Sequence, residues 1–184
     1  MDVLTRKHAT FALLLLFFVA WGYLLSIYKA EEIVHSLGIT NVYVVVFFAS
    51  TIGGVSTFFA GSFYATIMTF AIGGLDPLAL GLIAGFGATI GDSIFYYLGY
   101  RGREVLSGRW RDKAMGFSKW LRQQNDMVIT TVIFLYAAAT PLPKDLLVAA
   151  LAVGDYRYFK MIPPLLLGNI CLISLIGYVV LMVR

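Results

Sequence analysis

The 184 residues are 60% hydrophobic and 13% charged, with a net charge of +4 and a mean hydropathy of +0.83. Long apolar runs at that hydropathy exclude a soluble domain and identify an integral membrane protein of one domain. The modest charge, clustered beside an apolar run, excludes a nucleic-acid binder, and the single Cys171, itself in an apolar run, supports neither a disulfide nor a thiolate metal site.

The first apolar run is Thr10 to Tyr28, with Arg6 and Lys7 before it and Lys29, Glu31 and Glu32 after it. Its length suits a spanning helix. A signal peptide is the alternative, but no small-x-small cleavage site follows Trp21, so a retained helix is expected. Residues 1–41 then form this helix and an external linker. The next run, Val42 to Ile72, is interrupted by Gly53, Gly54 and Gly61 with Ser and Thr interleaved. A third run, Leu78 to Tyr97, predicts a helix over 78–100.

The character then changes. Arg101 to Arg122 holds seven Lys/Arg and only two acids, Glu104 and Asp112. Leu106, Trp110, Ala114, Phe117 and Leu121 recur at helical spacing, with Trp120 beside them. This pattern predicts a basic amphipathic helix lying at the membrane interface, or more simply a topology-determining cytoplasmic loop. Apolar Met127 to Ala139 follows and leads into "TPLPKD". Asp155, Arg157 and Lys160 make a short polar stretch before the last apolar run, Met161 to Val183.

Pro141 and Pro143 remove two amide donors, and Thr140 before Pro141 is pushed toward an extended conformation. Broken backbone at membrane depth needs protein or water around it. The segment therefore reads as the tip of a re-entrant hairpin, with Leu146 to Val153 as its outgoing half-helix. A loop between two full spans is the alternative, and the arms are short for it. A shift of 81 residues places Gly73 on Gly154 and Gly87 on Gly168. With the positive-inside bias, the halves are expected to form an inverted-topology repeat, with the N-terminus cytoplasmic and the C-terminus external. The expected fold is thus all-α integral membrane: re-entrant hairpin plus transmembrane helix, twice (42–100 and 125–184), joined by the basic segment 101–124 and preceded by an extra helix.

Two motifs carry a family resemblance. "GATIGDSIFYYLGYRG" (87–102) is similar to a glycine–aspartate helix of the DedA family, the membrane proteins with a VTT domain, through Gly91, Asp92, Tyr96 and Gly99. "PLPKDLLVAALAVG" (141–154) resembles that family's second re-entrant loop, with its prolines and closing Gly154. The resemblance covers about residues 42 to 182 and implies lipid handling in the cell membrane. Relatives move lipids or polyprenyl phosphate carriers between leaflets, and proton coupling is proposed for some. The chain departs from the pattern in two places. The first hairpin lacks the usual carboxylate and proline, and the usual arginine pair around the proline is replaced by Ala138 and Lys144.

The candidate site residues are Lys144, Asp145, Asp92 and Tyr96. An ionisable group within the membrane is costly and is functional by default. Each also has a plainer role. Asp92 could pair structurally with Lys144, or Lys144 could snorkel. Asp145 could cap the half-helix, Tyr96 could be an interfacial tyrosine, and Asn169 is read as an interhelical hydrogen bonder. Gly85, Gly87, Gly91 and Gly99 are read as close-packing positions. The expected partners are membrane lipids, an anionic headgroup and protons, with no cofactor or metal. A lipid or carrier translocase is the leading expectation. A small-solute or ion transporter, a structural membrane protein and an enzyme on lipid phosphates are the alternatives. The enzyme is least favoured, because both histidines lie outside the apolar core and no acid pair has metal-ligand spacing.

Overall fold

The computed structural model describes residues 35–36, 38–55, 57–105, 108–140 and 144–183. The expected N-terminal helix and the tip residues Pro141 and Pro143 lie outside the described residues. Among the described residues there are seven helices and no strand: α1 (Ile39–Val55), α2 (Thr57–Ile72), α3 (Pro77–Val105), α4 (Gly108–Gln123), α5 (Asp126–Ala139), α6 (Asp145–Val153) and α7 (Tyr158–Val183). Within α3 and α7, Pro77–Arg101 and Tyr158–Val183 are long and apolar enough to cross a membrane. By contrast, the 14 residues of α5 and the 9 of α6 are each too short, at 1.5 Å per residue, for a hydrocarbon core of about 30 Å.

Several boundaries differ from the sequence reading. Helix α3 continues to Val105, so the first basic residues extend this long apolar helix and do not start the amphipathic one. Arginines at a helix end are compatible with helical backbone, and only the apolar periodicity stops near residue 100. Helix α2 runs unbroken through Gly61, since a helical glycine costs only about 0.5–1 kcal/mol relative to alanine. Lys160 lies inside α7, which starts three residues before its apolar run.

The caps follow from the sequence. Pro77 occupies the first position of α3, where its missing N–H costs nothing, and Asp76 Oδ2 accepts from Ala79 N at 2.7 Å. Asn125 caps α5 by accepting from Met127 N at 2.9 Å. Thr140, before Pro141, ends α5 in the extended region at φ −125°, ψ 126°, as its neighbour's ring requires.

Helices α3 and α7 form the centre. Helix α1 packs on α3 and α5 on α7, while α2 packs on α7 and α6 on α3. One apolar core cluster joins α1, α2, α3 and α7 through Val46, Ile67, Phe70, Leu80 and Ile173. A second joins α4, α5, α6 and α7 through Leu121, Ile133, Val148, Met161 and Leu165. Outward, Leu78, Leu82, Phe86, Ile90, Ile94 and Leu98 recur every fourth residue along α3, each at least 43% exposed. Such a ridge, about 30 Å long, suits a helix that faces an apolar surrounding.

The two helix-ending turns are equivalent bond for bond. Gly73 N donates to Thr69 O, Gly74 N to Ala71 O and Leu75 N to Phe70 O. Gly154 N donates to Ala150 O, Asp155 N to Ala152 O and Tyr156 N to Leu151 O. Both are Schellman-type ends with one left-handed residue, Gly74 at φ 94° and Asp155 at φ 62°.

Helix α4 is amphipathic, and Phe117 and Leu121 of its apolar face pack on the protein. Ala114 and Leu121 are buried, Phe117 is half-buried and Trp120 is 53% exposed. Phe117 and Leu121 lie over the second turn, where a Cβ on Gly154 would meet the Phe117 ring at 2.9 Å.

Candidate functional site

Thr89 and Asp92 are three residues apart on α3 and so share one face. That face meets α7 at Asn169, and both Asp92 and Asn169 are 1% exposed. Lys144 immediately precedes α6, and its side chain, 12% exposed, reaches the same point. The four groups form one connected cluster drawn from α3, α7 and the residue that precedes α6.

Asn169 is its hub. Its side-chain oxygen accepts from Lys144 Nζ. Its side-chain nitrogen donates to Asp92 Oδ2 at 3.0 Å and to Thr89 Oγ1 at 3.1 Å. Thr89 passes its own proton to Gly85 O at 2.7 Å, which leaves its oxygen free to accept. Lys144 Nζ lies 3.6 Å from Asp92 Oδ2. Two opposite charges in a low-dielectric interior are tolerable together, whereas either alone is costly.

The cluster is incompletely satisfied. Asp92 Oδ1 is buried with no hydrogen-bond partner among the described residues, and a buried carboxylate oxygen left so costs about 1–3 kcal/mol or more. The ammonium carries three donors, and its partly exposed side can meet an acceptor from outside. Chemically, the arrangement can hold an anion at Lys144 while Asp92 balances the charge when the site is empty.

The close approach of the helices rests on small residues. A Cβ on Gly85 would lie 3.1 Å from Ile170 N, so side-chain atoms there would drive α3 and α7 apart. Gly99 brings α3 against α6, its notional Cβ 3.1 Å from Ala149 O. Gly91 is buried beside Asp92.

The remaining candidates sit elsewhere. Asp145 is the first residue of α6 and half-buried, where its charge favours the helix N-terminus. Tyr96 is outside the cluster. Its hydroxyl donates to Tyr156 O at 2.6 Å, and its ring lies 5.2 Å from that of Tyr158. Thr89 is a site residue that sequence reasoning missed, and its three-residue spacing from Asp92 was the available signal. Among the described residues no group of three or more His, Cys, Asp or Glu could hold a metal ion. Comparison with family models, curated proteins and solved structures gave no match.

Proposed function

We propose that this chain is a multi-pass membrane transporter that moves lipids or lipid-linked carriers between leaflets, with Lys144 receiving an anionic headgroup. The observation that carries the reading is the buried Lys144–Asn169–Asp92 cluster between helices long enough to span a membrane. Intramembrane charges of this kind mark substrate or ion pathways.

The reading includes an inverted repeat. The bond-for-bond match of residues 69–75 with 150–156 supports two copies of one unit. So does the main helix pairing: α1 on α3 and α2 on α7 become α5 on α7 and α6 on α3 when the halves are exchanged, although the packing of α1 on α2 is not matched between α5 and α6. Close packing repeats as well. A Cβ on Gly87 would meet Phe47 O of α1 at 2.5 Å, and one on Gly168 would meet Phe134 O of α5 at 3.0 Å. In such repeats, short broken helices enter from opposite sides and leave a polar site at the interface. The short α5 and α6, separated by Pro141 and Pro143, suit a re-entrant hairpin. The DedA-like motifs agree with this arrangement, although Lys144 offers a point charge where that family has an arginine fork.

Orientation follows from charge. Asp76 marks the first turn, whereas Arg157 marks its counterpart beside the basic helix α4. This contrast favours a cytoplasmic location for α4 and the second turn. Transport of a small solute or ion is the competing reading, and the unpartnered Asp92 Oδ1 suits a proton or small cation. Reconstituted vesicles separate the two. Leaflet exchange of fluorescent anionic lipids supports lipid transport, whereas dissipation of an ion gradient without lipid exchange replaces it with the second reading.

A further inference from the structure

The first hairpin, α1 and α2, carries no charged residue between Val42 and Ile72. Several of its hydroxyl groups are spent on its own backbone. Ser50 and Thr51 donate to Phe47 O, and Thr69 donates to Ala65 O. Tyr64 of α2 is different. It is half-buried, and its hydroxyl bonds to no described residue. Unlike the Tyr156 hydroxyl, it keeps some accessible surface.

Helix geometry puts Tyr64 at the level of the polar cluster. Ile67 of α2 and Ile173 of α7 share one apolar core, and Tyr64 packs against it. Both helices run toward the first turn, where α2 ends at Ile72 and a Cβ on Gly177 of α7 would meet Pro77. One turn back from Ile67 is Tyr64, and one turn back from Ile173 is Asn169. The equivalence of residues 69–75 with 150–156 agrees. Carried back along α2 and α6, it pairs Ile67 with Val148, both fully buried, and Tyr64 with Asp145, the neighbour of Lys144. Helix α6 packs on α3 and α2 on α7, so Lys144 and Tyr64 approach the Asp92–Asn169 pair from different sides. Tyr64 and Asp145 both lie within electrostatic reach of Asp92. An unused donor, the Tyr64 hydroxyl, is therefore near an unused buried acceptor, Asp92 Oδ1.

We propose that Tyr64 is the reserve partner of Asp92: when a bound anion draws the Lys144 ammonium away, the phenolic O–H turns to donate to Asp92 Oδ1. This rests on the reading that Lys144 receives an anion. Lys144 is then both the ligand of that anion and the countercharge of Asp92, and it cannot serve both fully. A buried carboxylate that loses its cation is costly, and a hydrogen bond to its charged form offsets part of the cost. The other groups at Asp92 cannot supply that bond. Asn169 already donates to Oδ2 and to Thr89, Thr89 donates to Gly85 O, and Asp145 brings like charge. A phenol donates without a positive charge of its own, so it does not compete with Lys144 for the anion. Tyr64 is thus a positioning residue that keeps Asp92 ionised and in place.

The test is a melting cycle on the full-length protein in detergent. Lys144→Met keeps the aliphatic stem and removes the ammonium, which reproduces the withdrawal of the cation. Tyr64→Phe alone should leave the melting temperature unchanged, because the hydroxyl makes no bond to lose. In the Lys144→Met background, Tyr64→Phe should lower it by a further ~3–10 °C, the shift of a charge-assisted hydrogen bond in a chain of this length. With Asp92→Asn added, that effect of Tyr64→Phe should vanish. Infrared spectra at neutral pH report the carboxyl itself. The C=O band of protonated Asp92, identified by its loss in Asp92→Asn, should be stronger in Lys144→Met/Tyr64→Phe than in Lys144→Met. If Lys144→Met does not fold, Lys144→Gln takes its place. Equal melting of the Lys144 variant with and without Tyr64→Phe overturns the proposal, as does an equal carboxyl band. A loss that persists with Asp92→Asn also overturns it, since the hydroxyl would then act elsewhere. The cycle needs no transport, so a wild type that exchanges no lipid would count against the transporter reading alone.

Discussion

Asp155 holds, at φ 62°, the left-handed backbone that Gly74 holds at φ 94° at the same point of an equivalent turn. A non-glycine residue there costs roughly 1–2 kcal/mol, and aspartate is among the few that tolerate it. The Asp155 carboxylate meets Arg122 at 2.7 Å and ties α4 to the turn. Asp155→Ala loses that tie and keeps the strain, so it should lower the melting temperature. Asp155→Gly loses the tie but relieves the strain and should be the more stable of the two. Thermal melts of the purified variants decide this, and equal melting of both would mean the turn is not strained.

Asn169 is the second residue whose substitution is informative. Among the described residues it alone bonds to Lys144, Asp92 and Thr89 together. Asn169→Leu keeps the approximate volume and removes every polar contact, leaving the carboxylate and ammonium to each other. A loss of about 1–3 kcal/mol is expected from the unsatisfied groups. Chemical denaturation in detergent measures it, and a stability equal to wild type would show that the cluster is held by other contacts.

Gly87 and Gly168 should respond alike. Each lies where an added Cβ would press on a neighbouring helix, at Phe47 O and Phe134 O respectively. Alanine at either position should destabilise by about 1–3 kcal/mol through overpacking. Gly116, in the middle of α4 with nothing within 4 Å of its notional Cβ, is the contrast. Alanine there should stabilise by about 0.5–1 kcal/mol through backbone entropy alone. Melting of the three variants checks the pattern, and a stable Gly168→Ala beside an unstable Gly87→Ala would argue against equivalent halves.

The parts of this fold that were legible in the sequence are those written in local chemistry. Apolar length and composition identified the helices of α3 and α7, Pro141 fixed the end of α5 at Ala139, and the spacing of Ala114, Phe117 and Leu121 gave the buried face of α4. Asp92 and Lys144 stood out because charge in an apolar run is expensive. The packing of α4 on the second turn did not stand out, because it depends on α4 folding back onto Gly154, a contact between residues far apart in sequence. Thr89 gave only its three-residue spacing from Asp92, since a threonine in an apolar helix usually bonds its own backbone, as Thr89 does with Gly85 O. Its second role as an acceptor appears only when Asn169 arrives from α7.

Topology can be examined independently of activity. On a Cys171→Ala background, a cysteine replacing Asp112 in the exposed surface of α4 should react with membrane-impermeant reagents only from the cytoplasmic side. One at Arg184 should react only from the outside, as the charge bias requires. Labelling of position 112 from outside would reverse the proposed orientation.

The most direct measurement is leaflet exchange of a fluorescent anionic lipid in vesicles containing wild type, Lys144→Ala, Lys144→Arg, Asp92→Asn or the Lys144→Ala/Asp92→Asn pair, with melting followed in parallel. Lys144→Ala strands the buried Asp92 carboxylate, a cost of about 3–5 kcal/mol for a buried pair. It should abolish exchange and lower stability. Asp92→Asn should lower activity, and the double substitution should recover stability without recovering exchange. Lys144→Arg should stay active, because it keeps the charge and adds a fork suited to phosphate. Exchange of every tested anionic lipid at the wild-type rate by Lys144→Ala would contradict the account, and would leave Lys144 as an anchor with no part in transport.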